Sequence, residues 1–65
     1  MTYPIAPQDK DQPIRILIAD DHPMLREGVL AVVEMQPDMT VVGEAANGDQ
    51  AVDSFERLKP DIVLI

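Results

Sequence analysis

From Ile14 onward the chain alternates between two hydrophobic periods. Ile14-Arg15-Ile16-Leu17-Ile18-Ala19 is rich in β-branched side chains and is bounded by Pro13 and a pair of aspartates. Ile14, Ile16 and Ile18 fall on one face, Leu17 and Ala19 on the other. Apolar groups on both faces predict a strand covered on both sides, as in the interior of a parallel sheet. From Pro23 the period lengthens. Leu25, Val29, Val32 and Val33 fall at i, i+4, i+7 and i+8 and predict a helix with that stripe on the core. Pro23 suits the first helical turn, where its missing N–H costs nothing. Pro37 ends the helix near Gln36, because it pushes the residue before it out of the helical region. Gly28 costs about 1 kcal/mol relative to Ala in mid-helix, so close packing against a strand is expected there.

The alternation then repeats. Thr40 to Ala45 reads as a second, shorter strand. Asn47 can cap a second helix, and Gln50 three residues later can reach back. Ala51, Val52, Phe55 and Leu58 make its stripe, Lys59 favours the negative end of its dipole, and Pro60 stops it. Asp61 to Ile65 is a third strand, again apolar on both faces. The order β-α-β-α-β predicts an α/β fold with a parallel sheet and right-handed crossovers. Residues 1–13 hold Pro4, Pro7 and Pro13 in a polar run without a period, and predict a disordered or loosely extended tail.

Composition narrows the function. With 12 Asp+Glu against 5 Lys+Arg the net charge is −7, the wrong sign for a direct grip on nucleic acid phosphates. The absence of cysteine excludes disulfides, thiolate zinc sites and a Cys nucleophile. No apolar run approaches the ~20 residues that span a bilayer, and no leader pattern opens the chain, so a cytoplasmic location is expected. A chain of 65 residues buries only about 60% of its unfolded surface. It is therefore expected to need a partner or to be a piece of something longer.

Chemistry is expected where strands of an open α/β sheet end. Asp20 and Asp21 stand at the carboxyl end of the first strand, followed by His22 and Pro23. Adjacent carboxylates suit a hard cation such as Mg²⁺, which takes one or two of them with waters and a phosphate oxygen. They equally suit the start of the next helix, where acidic groups cap and complement the dipole. His22 reads as a helix-start residue, since no Cys or second His completes a zinc shell. Glu44 reads as a solvated charge, Met24, Met35 and Met39 as core or rim filler, and Ser54 as a helix residue without a basic partner. No Gly-rich phosphate loop is present. An enzyme is thus not expected.

These residues together carry a resemblance. Ile16 to Pro23 (ILIADDHP), Arg26-Glu27-Gly28, Val42 to Gly48 (VGEAANG) and Lys59 to Leu64 (KPDIVL) make Ile14–Ile65 similar to the first half of a receiver domain of two-component response regulators. The Asp-Asp-His-Pro, Arg-Glu-Gly and Gly-Glu-Ala-x-Asn-Gly steps resemble the NarL/FixJ (LuxR-type) branch. The resemblance implies a flavodoxin-like (CheY-like) doubly wound parallel sheet of strand order 2-1-3-4-5, here cut to β-α-β-α-β, with one helix on each face. It implies that Asp20 and Asp21 hold Mg²⁺ while a sensor histidine kinase passes a phosphoryl group to an Asp at the end of the third strand. That phosphoacceptor would follow immediately after Ile65. The chain is therefore expected to lack it, along with the later strands and helices, the switch residues and the C-terminal DNA-binding domain of the branch. Mg²⁺ binding is expected to be weak or absent. The alternative is a stand-alone truncated receiver that acts as an interaction module. An unpaired edge at Ile62–Ile65 and an uncovered face beside Leu25, Val29 and Val32 would favour homo-oligomers.

Overall fold

The computed structural model describes residues 2–4 and 12–65. In chain order the elements are β1 (Thr2–Pro4), β2 (Ile14–Ala19), α1 (Pro23–Glu34), β3 (Met39–Ala45), α2 (Gly48–Leu58) and β4 (Ile62–Leu64). They form one sheet of order β1-β4-β2-β3. β2 lies at the centre of three parallel strands, between β3 and β4. That is the order expected for the first three strands of a doubly wound parallel sheet.

Covering β2 on both faces is what its sequence requires. Ile14, Ile16 and Ile18 gather with Val29, Leu30 and Val33 of α1, and with Met39, Val41, Ile62 and Leu64 of the flanking strands. Leu17 points the other way, toward α2, and is wholly buried. On that face Gly43 makes room for Leu58: a Cβ on Gly43 would lie 2.5 Å from Leu58 Cδ1. The β2–β3 register shifts between Ile16, opposite Val41, and Leu17, opposite Gly43, so Val42 is an extra residue in the ladder.

Four expectations are corrected. The α1 stripe is rotated: Val29, Leu30 and Val33 meet the core, while Leu25 and Val32 are 55% and 61% exposed. This helix is apolar over most of its circumference, so spacing alone does not choose the buried face. On α2, Ser54 is buried with Ala51 and Leu58 partly so, whereas Val52 and Phe55 are exposed. Gly28 has nothing within 4 Å of the place a Cβ would take, so packing does not explain it. Met24 and Met35 lie on the surface, and only Met39 packs on the core.

The N-terminal segment also departs from the expectation. Thr2–Pro4, within the stretch read as a loose tail, pairs antiparallel with Ile62–Leu64, Tyr3 standing opposite Val63. The outer edge of β4 offers backbone donors and acceptors that need partners, and an extended segment supplies them. The edge expected to be open is thus occupied over Ile62–Leu64. Met1 and residues 5–11, part of the expected tail, lie outside the described residues.

Arg15 locks the lower end of the sheet. Its Nη1 and Nη2 donate to the carbonyls of Lys59 and Leu58 at 2.9 and 2.8 Å, capping the C-terminus of α2. Asp61 Oδ2 accepts the Arg15 N–H at 2.9 Å, and the Asp61 N–H returns to the Arg15 carbonyl at 2.8 Å. A cation suits the negative end of a helix, where the last carbonyls have no partner of their own. Lys59, the C-cap residue, takes the left-handed conformation (φ 49°, ψ 61°) that ends the helix.

Candidate functional site

The acidic turn is built by the strand that leads into it. The last ladder contact of β2 carries over to the next residue: the Asp20 N–H donates to the Ala45 carbonyl at 3.0 Å. This fixes Asp20 at the carboxyl end of the central strand, beside the end of β3. The chain then turns through Asp21 and His22 into α1, with Pro23 at the start of the helix. His22 is the N-cap residue but makes no side-chain cap, so neither aspartate nor the histidine is consumed in the role that competes with ligand binding.

The three side chains converge instead. Asp20 Oδ1 accepts the His22 backbone N–H at 2.8 Å and lies 2.8 Å from His22 Nδ1. Asp21 Oδ1 lies 2.7 Å from the same ring nitrogen. One ligand atom from each of Asp20, Asp21 and His22 falls within 4.8 Å of the others. The Asp20 side chain is 21% exposed, Asp21 77% and His22 73%. The hydrogen bond from the His22 backbone, then the one from its ring, lower the Asp20 carboxyl below its usual value. In return the bond to Asp20, then the charge of Asp21, raise the His22 imidazole above its usual value.

Arg26 steadies the turn from α1. Its Nη1 donates to the Asp20 carbonyl at 2.7 Å and its Nε reaches Glu44 Oε1 at 3.3 Å. Glu44, expected to be merely solvated, is therefore one arm of an ion pair across β3 and α1. In sequence Arg26 had no role beyond its place in the Arg-Glu-Gly step of the resemblance. Arg15 was equally silent, although a single cation inside an apolar strand is a signal that such a group has a partner at the strand end.

A cleft of about 590 Å³ opens over the turn, walled by Asp20, Asp21, His22, Leu25, Asn47 and Ile65 among others. Asn47 caps α2 as expected, its Oδ1 accepting the Gln50 N–H at 2.9 Å. Gln50 does reach back, but to the N–H of Ala46 at 2.8 Å, one residue further than a capping box requires. The cleft is thus an assembly of three strand ends (β2, β3 and β4) and two helix starts. Its donor set is mainly hard: the carboxylate oxygens of Asp20 and Asp21, beside the imidazole of His22. That chemistry fits Mg²⁺. No helix among the described residues is long and apolar enough to cross a membrane.

Comparison with known proteins places this geometry in a family. Residues 16–65 match the response regulator receiver domain. The chain is 54% identical over 54 residues to the nitrate/nitrite response regulator protein NarL of Escherichia coli K12, covering 83% of this chain and 25% of that protein. It is 46% identical over 52 residues to the transcriptional regulatory protein LiaR of Bacillus subtilis 168, covering 80% and 25%. It is 44% identical over 54 residues to the protein-glutamate methylesterase/protein-glutamine glutaminase 4 of Myxococcus xanthus DK1622, covering 83% and 15%. The chain spans about a quarter or less of the length of these relatives. With its parallel strands ordered about β2 and its paired aspartates at the strand tip, the chain belongs to the response regulator receiver family, in the branch of NarL-type two-component regulators.

Proposed function

We propose that Ile14–Ile65 is the cation-binding front half of a phosphoacceptor receiver, in which Asp20 and Asp21 hold Mg²⁺ for phosphoryl transfer from a sensor histidine kinase. The observation that carries this reading is the place of the two carboxylates. They stand at the carboxyl end of the central strand, in one cleft with Ile65, where the acceptor aspartate of the complete domain is expected to follow. When bound, Mg²⁺ would neutralise negative charge around a transferring phosphoryl group. The chain's own residues do the positioning. Arg26 holds the Asp20 carbonyl, Ala45 anchors the Asp20 amide, and Asn47 and Gln50 hold the opposite wall.

Control of transcription, DNA binding by a C-terminal domain and a cytoplasmic location belong to the proposal for the complete protein. The names of the NarL and LiaR relatives support the regulatory role; the methylesterase relative carries a similar stretch, 44% identical over 54 residues, within a protein named as an enzyme. Mg²⁺ binding by Asp20 and Asp21 alone is expected to be weak. Titration with Mg²⁺, followed by amide shifts, should move Asp20, Asp21 and His22 and should fail in Asp20→Asn/Asp21→Asn. Shifts spread over the surface, or none at the acidic turn, would overturn the assignment.

Self-association is a second reading, favoured by one observation: Met24, Leu25, Val32 and Met35 expose apolar surface along α1. Sedimentation of a folded monomer at micromolar concentration would count against it.

A further inference from the structure

The chain contains one asparagine, Asn47, and glycine follows it. Structure gives no steric reason for that glycine. No glycine has a positive φ, and a Cβ on Gly48 would meet nothing within 4 Å. What glycine does supply is an unshielded backbone nitrogen next to a carboxamide. Gly48 opens α2, so its N–H is among the first-turn amides that no carbonyl of the helix accepts. Both residues are exposed and both line the acidic cleft. The Asn47 Oδ1 accepts the Gln50 N–H, which polarises Cγ and is aimed at the oxygen where negative charge would gather on attack.

We propose that Asn47 is a spontaneous modification site through which the cleft gains a carboxylate. The Gly48 nitrogen, giving its proton to water, bonds to Asn47 Cγ. The Cγ–Nδ2 bond breaks and ammonia leaves with the proton, closing a five-membered imide. Water then opens the ring. Cleavage of the Cγ–N bond leaves an ordinary aspartate at this position; cleavage at the main-chain carbonyl gives the isoaspartyl linkage. No oxidant, enzyme or cofactor is needed beyond water. The two products differ in their effect. Aspartate caps helices as well as asparagine and suits the positive end of the α2 dipole, so that form keeps the fold. It sets a further negative charge in the cleft that holds Asp20 and Asp21. The isoaspartyl form inserts a methylene into the backbone and removes the cap on the Gln50 N–H. The site is independent of whether the aspartates hold a cation.

Ageing of the full chain at mildly alkaline pH, with intact mass and peptide mapping, tests this. A gain of about one dalton should appear and map to Asn47 as both aspartyl and isoaspartyl products. In Gly48→Ala, which has room for its methyl and retains the cap, the gain should be roughly tenfold slower through steric shielding of the nitrogen. The major non-iso product should co-elute with purified Asn47→Asp on anion exchange. An unchanged mass while an unstructured Ala46–Gln50 peptide deamidates would overturn the proposal. So would equal rates in the parent chain and a Gly48→Ala variant with the parent's circular dichroism.

Discussion

The two ends of β2 use charge in opposite ways. At the lower end Arg15 commits its guanidinium to the last carbonyls of α2, and its backbone to Asp61. Every strong group there is answered by another part of the same chain. At the upper end the carboxylates of Asp20 and Asp21 are met by the exposed imidazole of His22, and that of Asp20 also by the His22 backbone N–H, and the cleft above them is open. One end fastens the fold; the other leaves hard oxygen ligands available. A parallel sheet separates the two tasks by polarity, since helix C-termini gather where strands begin and helix N-termini where strands end.

The contrast can be broken first at the lower end. Arg15→Ala should destabilise the chain by about 2 kcal/mol, since two charge-assisted bonds to helix-terminal carbonyls are lost. Urea unfolding would measure it, and the fraying should appear as faster amide exchange at the end of α2. At the upper end the cap of α2 is the structural exception: Asn47→Ala should cost about 1 kcal/mol in the same assay. Asp21→Asn should shift stability by less than about 0.5 kcal/mol, as expected of an exposed group, while abolishing any Mg²⁺-dependent shift. A loss comparable to that of Arg15→Ala would mean that both ends are structural.

The smallest effect is one of pH. The His22 imidazole is raised above 6.5, so its pairing stabilises the folded state fully below that value and is lost as pH rises through the folded value. The Asp20 carboxyl is lowered below 3.8, so its share is present above 3.8 and is lost as pH falls through the folded value. NMR titration of the His22 ring should therefore give a midpoint above that of a free imidazole, and Asp20→Asn should bring it down. An unshifted midpoint would dissolve the turn as a coupled unit.

How far the fold was legible follows from the range of each interaction. The strand at Ile14–Ala19 was found at its observed limits because its signal is local and its ends are marked by Pro13 and Asp20. The Asn47 cap and the Pro60 stop were legible for the same reason. The buried faces of α1 and α2 were legible only in part: Val29, Val33, Ala51 and Leu58 turn inward as read, while Leu25, Val32, Val52 and Phe55 are exposed and the polar Ser54 is buried, because the partner sheet and not the apolar spacing decides among them. Arg15 to Leu58 spans 43 residues and Arg26 to Glu44 spans 18. Such contacts leave no local period. At the site the two aspartates were named from position, while the residues that hold them in place were not.

The extra residue at Val42 has a consequence for the acidic turn. Met39 and Val41 lie on the α1 side of the sheet, whereas Gly43, two positions on, faces Leu58 of α2. A regular strand keeps alternate residues on one side; here the inserted residue inverts the parity halfway along. Glu44 consequently stands level with Ile18 and emerges beside α1, where Arg26 can meet it. Were Val42 instead paired regularly with Leu17, the glutamate would fall on the opposite surface and leave that arginine, whose other nitrogen steadies the Asp20 carbonyl, without its counter-ion.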